Sequence, residues 1–240
     1  MAYAASLLVE NLDPLKQLSM SYGVLDLACG CGRNGLELAK YDIPVTFADC
    51  DEGKLNAISA RLEQEKLPGN TWLVDLEKTE SNPLAQKKFD ACLVFNYLYR
   101  PGLDSIRDAI ISGGLIYYET FTLDNRQYGR PNNLSYLLFP NELKDIFKGW
   151  EILYYFEGEL SSPRRAVANI IARKPWWYSY MSKIVPLNIS SGSNQARPPF
   201  ECEIQRSKRK TLGIYISHEK VVVRCPYGAG KREVAKFVSD

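Results

Sequence analysis

A chain of 240 residues with 45% hydrophobic side chains carries enough apolar material for one large domain, or one domain with an appendage, which excludes disorder as the default. The net charge of +2 is too small to argue for nucleic acid, but it hides an asymmetry: residues 1–174 hold 19 basic and 23 acidic side chains, whereas residues 197–240 hold 10 and 5. No apolar run approaches the roughly 18 residues needed to span a bilayer, and the opening MAYAASLLVENLDP lacks the basic start and long apolar segment of a secretory signal. A cytoplasmic location without a membrane partner is expected. In that reducing setting the six cysteines read as free thiols. None forms a CxxC pair and the single histidine is His218, so no metal site is expected.

In chain order, residues 4–19 have the spacing of an amphipathic helix interrupted near Pro14. Short apolar runs of strand-like length then recur at 24–28, 45–48, 72–74, 91–95, 115–118, 152–156 and 167–172. Segments of helical period lie between the first five, at 35–40, 52–66, 83–88 and 103–112, and another at 141–147 precedes the sixth. Such alternation predicts β-α-β units and a doubly wound, mainly parallel seven-stranded α/β sheet of Rossmann-like type, with the last two strands as an antiparallel pair at one edge. The rhythm stops at Lys174. Residues 1–174 are therefore expected to form one domain, 175–199 an aromatic and polar linker containing WWYSYM, and 200–240 a small β-hairpin over 203–226 followed by a helix at 231–238.

The first strand runs into VLDLACGCGRNGLELA, where Asp26, Ala28, Gly30 and Gly32 fall at alternate positions before a helix. Glycines there permit left-handed backbone angles and let a ligand approach the main chain, while the helix start offers unpaired amides. Cys29 and Cys31 read as small packing residues rather than metal ligands. Neither GxGxxG nor GxxxxGK[ST] is present, so the turn fits neither a dinucleotide nor a Walker loop. Asp49 closes the second run, where a carboxylate can accept hydrogen bonds from a ribose diol, and Asp75 closes the third, where it can meet an adenine amino group. Three acidic strand ends in succession favour a ligand with an amine and hydroxyls but no phosphates, a description that S-adenosylmethionine fits.

With these residues in hand, VLDLACGCGRNGLELA, FADCDEGKLNAI, LVDLEK, FDACLVFNYLYRPGL and YYETFTLDNRQYGRPNNLSYLLFPNEL make residues 20–174 resemble the class I S-adenosylmethionine-dependent methyltransferases, in particular their tellurite-resistance-type branch. Ala28 stands where most members carry glycine, a change expected to be mild because alanine tolerates many turn angles. The resemblance implies that Asp26 orients the methionine amino group, that Gly30 and Gly32 line the methionyl arm, that Asp49 holds the ribose and that Asp75 with the Leu76 amide reads adenine. Phe95 and Asn96 would border the sulfonium, and Ala28, Asn34 and Cys50 complete the expected cofactor set.

Residues 1–174 contain no histidine, which favours an acceptor already nucleophilic at neutral pH, such as a thiolate, a carboxylate or a soft oxyanion, or else a carboxylate base such as Glu119. On the acceptor side Tyr97, Arg100, Glu119, Tyr128 and Arg130 are the catalytic candidates, with Tyr99 and Thr120 beside them. Arg100 and Arg130 have the planar paired donors that clamp an anion. They read equally well as loop charges or as ion partners of Glu119 and Asp124, and each tyrosine reads more readily as core or rim than as catalytic.

In the tail, YGAGK lacks the leading glycine and the hydroxyl residue of a phosphate loop, and RSKRK reads as a solvated face. Residues 204–240 resemble the opening hairpin and first helix of YgjP-like zinc metallopeptidases, whose metal-binding HExxH segment has no counterpart in this sequence; no hydrolase chemistry is expected from them. The expected partner is a small-molecule acceptor, not nucleic acid, with the oligomeric state left open. The rival readings are methylation of RNA or protein recruited by the basic tail, and a non-catalytic S-adenosylmethionine-binding protein.

Overall fold

The computed structural model describes residues 3–78, 82–176, 202–207, 213–217 and 220–226. Two compact units divide the chain, residues 1–177 and 178–240. In the first, β1 (Val24–Leu27), α3 (Arg33–Ala39), β2 (Val45–Asp49), α4 (Glu52–Glu65), β3 (Gly69–Leu73), β4 (Phe89–Phe95), α5 (Leu103–Ala109) and β5 (Ile110–Phe121) alternate, after the short helices α1 (Ser6–Val9) and α2 (Asp13–Lys16). Helix α6 (Glu142–Ile146) leads to the hairpin of β6 (Glu151–Ser161) and β7 (Arg164–Arg173).

The sheet order is β3-β2-β1-β4-β5-β7-β6, with β1 to β5 parallel and β7 antiparallel to both neighbours. This is the predicted seven-stranded α/β sheet with an antiparallel pair at its edge. Strands β1 and β4 are buried at every residue because helices cover both faces, and so they read in sequence as continuous apolar runs. Helix α4 buries Leu55, Ile58 and Leu62 on one stripe, starts where the Asp51 side chain accepts the Lys54 amide, and ends at Lys66 in the left-handed region. Strand order reverses between β1 and β4, and the crevice beyond their carboxyl ends is where ligands bind in such sheets.

Local competition changes several predicted elements. The 4–19 helix is two single turns: the Asn11 side chain donates to the Leu7 carbonyl at 2.9 Å where the first ends, and Pro14 sits in the first turn of the second. Residues 83–88 form turns and not a helix, because the Asn82 carboxamide accepts the Leu84 amide at 3.0 Å and Gln86 takes a φ of 65°. The predicted helix 103–112 stops at Ala109, since β5 begins at Ile110; at Gly114 a Cβ would lie 2.6 Å from the Asp90 carbonyl. Strand β5 thus carries a glycine pair that conceals its first half in the sequence. In the second unit β9 (Gly213–Ser217) and β10 (Lys220–Pro226) form the expected hairpin, but β8 (Cys202–Ser207) adds a parallel third strand beside β10. The expected helix at 231–238 and most of the linker lie outside the described residues. Among the described residues no helix is long and apolar enough to cross a membrane.

A buried carboxylate joins the entrance of β1 to β4: Asp90 accepts the Tyr22 and Gly23 amides at 2.6 and 2.8 Å. Asp90→Ala would leave both donors unpaired and is expected to lower unfolding free energy by about 2–3 kcal/mol. Urea denaturation checks this, and a loss under about 0.5 kcal/mol would show that water replaces the carboxylate there.

Candidate active site

Between β1 and α3 the backbone enters the left-handed region three times at alternate residues, with φ of 52° at Ala28, 57° at Gly30 and 69° at Gly32. At Gly32 a Cβ would press on Ile58 at 2.8 Å and on the Phe47 ring at 3.2 Å, whereas at Gly30 it would meet nothing within 4 Å. The first glycine faces open space and the other lets the turn close on the core. The Gly30 amide donates to Asp49 Oδ2 at 2.8 Å and the Asp51 amide to Asp49 Oδ1 at 3.0 Å, so this carboxylate ties the turn to the end of β2 while each oxygen keeps a further lone pair. Asp26, 2% exposed, accepts the Gly35 amide at 2.9 Å. Burial pushes its carboxyl up to about 7, against the opposing pull of the Gly35 amide and then the Arg33 charge.

Ala28 needs a correction. A left-handed alanine is not a mild change, because its Cβ crowds the following carbonyl and costs about 1 kcal/mol. Asn34 is also used otherwise than expected: 4% exposed, its Oδ1 accepts the Ala5 amide at 2.9 Å and fastens the N-terminal segment to α3. Cys50, next to Asp49, is an exposed free thiol. Asp75 lies two residues beyond β3, where it accepts the Glu77 amide at 3.0 Å and pairs with Lys78 at 3.3 Å; the amide and then the lysine hold its carboxyl below the ordinary value. Leu76, Tyr97 and Tyr99 line a pocket of about 160 Å³ against Leu84 and Ile106. Phe95 is buried at the end of β4, and Asn96 takes a φ of 57° while its amide donates to the Glu119 carbonyl at 2.8 Å.

Asn96 also borders a second pocket of about 460 Å³, lined by Arg33, Tyr128, Arg130, Arg164 and Arg165. Its cations are held differently. Arg33 donates to the Tyr3 carbonyl at 3.1 Å, Arg164 lies 4.8 Å over the Tyr128 ring and 3.7 Å from Glu159, and Arg165 pairs with Glu119 at 2.8 Å. No described residue pairs with the Arg130 guanidinium.

Of the predicted acceptor residues, Tyr128 and Arg130 meet here and the others do not. Arg100 binds Glu142 through two contacts of 2.6 and 2.8 Å and donates to the Ser135 and Leu137 carbonyls, so it braces the loop before α6 and is not free to clamp a substrate. Tyr97 lines the smaller pocket, where burial raises its hydroxyl above its ordinary value. Glu119, 2% exposed, is closed off by Arg165 and by Asn169, whose Nδ2 donates at 3.1 Å, and this removes it as a base open to an acceptor. Sequence reading missed Arg33, Arg164 and Arg165. The signal was available: an antiparallel final strand starts at the edge where the parallel strands end, so the first residues of β7 belong to the site.

Residues 24–112 match the family described as a methyltransferase domain. The chain is also 31% identical over 168 residues to a probable S-adenosyl-L-methionine-dependent methyltransferase TehB of Haemophilus influenzae, a match covering 63% of this chain and 57% of the relative. The crystal structure of TehB from that organism superposes with a TM-score of 0.55 at 28% identity, over 69% of this chain and 62% of that one. A coclaurine N-methyltransferase bound to N-methylheliamine and S-adenosylhomocysteine shares the fold alone, with a TM-score of 0.53 at 14% identity over 70% and 71%. The chain spans less than two thirds of the length of the TehB relatives it matches.

Ala28→Gly is expected to raise unfolding free energy by about 0.5–1 kcal/mol by relieving the left-handed alanine, net of the entropy glycine adds to the unfolded chain. A urea midpoint that stays put or falls would contradict this.

Proposed function

We propose that this protein transfers a methyl group from S-adenosylmethionine to a small anionic nucleophile. The observation that carries the reading is the adjacency, across Asn96, of a glycine-rich left-handed turn pinned by Asp49 and a pocket holding four arginines. The residues suit the cofactor: open space over Gly30 admits a methionyl chain, the buried Asp26 matches its amino group, and Asp49 retains lone pairs for the ribose hydroxyls. Bound there, S-adenosylmethionine supplies the electrophilic methyl on its sulfonium.

The chain's own contribution is proximity, alignment and the handling of charge. Arg130 and Arg165 present planar donors to an acceptor carrying negative charge, such as a carboxylate, a thiolate or a soft oxyanion. No base is required for such an acceptor, in keeping with the absence of histidine from residues 1–174 and the closure of Glu119 by its partners. Asp26 must be ionised to receive an ammonium group. Its carboxyl is neutral below about 7, so the stability that Asp26 itself contributes to the ligand-free fold is present in full below its ordinary value of 3.8 and is lost as pH rises to about 7, while cofactor affinity moves the opposite way.

Calorimetry with S-adenosylhomocysteine is therefore expected to give an affinity that weakens by about tenfold from pH 8 to pH 6. Asp26→Asn should bind weakly with no such dependence, and a flat profile for the wild type would remove the Asp26 assignment. With a panel of thiols, carboxylates and selenite as acceptors, Arg130→Ala is expected to lose about tenfold in kcat/KM while S-adenosylhomocysteine affinity holds within about twofold. Equal losses in both would argue that Arg130 supports the fold and not the acceptor.

A further inference from the structure

Glu119 is a buried acid beside the arginine pocket that the transfer reaction leaves unused. It lies near the carboxyl end of β5, between Phe95 of β4 and Asn169 of β7. Removing a carboxylate from water is costly unless partners compensate, and a well-packed apolar pair would stabilise this position at least as well. Its partners are specific. One oxygen lies 2.8 Å from an Arg165 guanidinium nitrogen, and the other accepts from Asn169 Nδ2 at 3.1 Å.

Arg165 has two environments: it is held by that carboxylate, and it lines the arginine pocket with its side chain 21% exposed. An unrestrained arginine loses rotamer freedom when it is fixed on a ligand, and a carboxylate that has already fixed it removes part of that loss. A second brace points the same way. Asn125, also buried, accepts the Ala166 amide at 3.0 Å and donates to the Arg130 carbonyl at 3.3 Å, so the residue after Arg165 is joined to Arg130 itself.

We propose that Glu119, steadied by Asn169, is a positioning residue that pre-sets Arg165 for the anionic acceptor; this rests on the acceptor reading of the arginine pocket given above. Charge alone makes the opposite prediction, because a carboxylate beside the pocket repels an anion. The two effects separate in Glu119→Asp, which keeps the charge but withdraws the carboxylate by one methylene from both partners.

The test is calorimetric titration of the full chain with sodium sulfate as the probe anion, against sodium chloride at matched ionic strength, with S-adenosylhomocysteine affinity measured on the same samples. The wild type is expected to bind sulfate. Glu119→Asp is expected to bind it about tenfold more weakly, and Asn169→Ala about threefold, with S-adenosylhomocysteine affinity unchanged. In an Arg165→Gln background Glu119→Asp should have no further effect on sulfate, which a merely structural role would not produce. Unchanged or tighter sulfate binding in Glu119→Asp, a loss that persists without Arg165, or no sulfate binding by the wild type would overturn the proposal. Should Glu119→Asp fail to fold, Asn169→Ala decides by the same criteria. Loss of S-adenosylhomocysteine binding by the wild type would instead count against the cofactor reading.

Discussion

The Asp49 carboxylate is the joint on which the site depends. A turn that enters the left-handed region three times in five residues has little regular hydrogen bonding of its own, and an amide left without a partner there would cost about 1–3 kcal/mol. Asp49 supplies that partner from the next strand by accepting Gly30, and it takes the Asp51 amide with its other oxygen, so the end of β2, the start of α4 and the turn after β1 are set by one side chain. The strand order brings the two ends side by side, because β1 and β2 are parallel neighbours in register from Val24 and Val45. Fold and site are coupled at this point: without the parallel pair, the acid and the turn would have no reason to meet.

Around that joint the molecule accepts several unfavourable features, and they cluster at one edge of the sheet. Asp26 is buried to the point of being half neutral near pH 7, Ala28 is strained, Asn96 is left-handed, and four arginines crowd one pocket. The opposite edge holds buried charges of its own, Asp90 and Lys174, and left-handed residues occur elsewhere at Lys66 and Gln86. The two faces are packed from Leu25, Phe47, Leu93, Leu115 and Tyr117, side chains with almost no exposure.

Much of the fold was legible because its signals are local. The wholly buried strands β1 and β4 read as unbroken apolar runs, and α4 has a stripe at helical spacing with Asp51 as its cap. The glycine-rich turn was legible for the same reason, since Asp26, Gly30 and Gly32 lie within seven residues of one another. What failed was long-range. Asn34 finds Ala5, 29 residues away, and Arg100 finds Glu142, 42 residues away, so neither commitment can be read from neighbouring sequence. Residues 83–88 had helical spacing, but an asparagine turn took precedence over it. The arginines at the start of β7 are not marked by any local pattern, because an antiparallel strand brings its beginning to the edge where the parallel strands end.

The most direct test of this account is a crystal structure of the protein with S-adenosylhomocysteine. The amino group is predicted within hydrogen-bond distance of Asp26, the ribose hydroxyls at Asp49 and the sulfur beside Asn96, facing the arginine pocket. A nucleoside bound away from the turn at residues 28–32, or a cleft that remains empty at millimolar ligand, would contradict it.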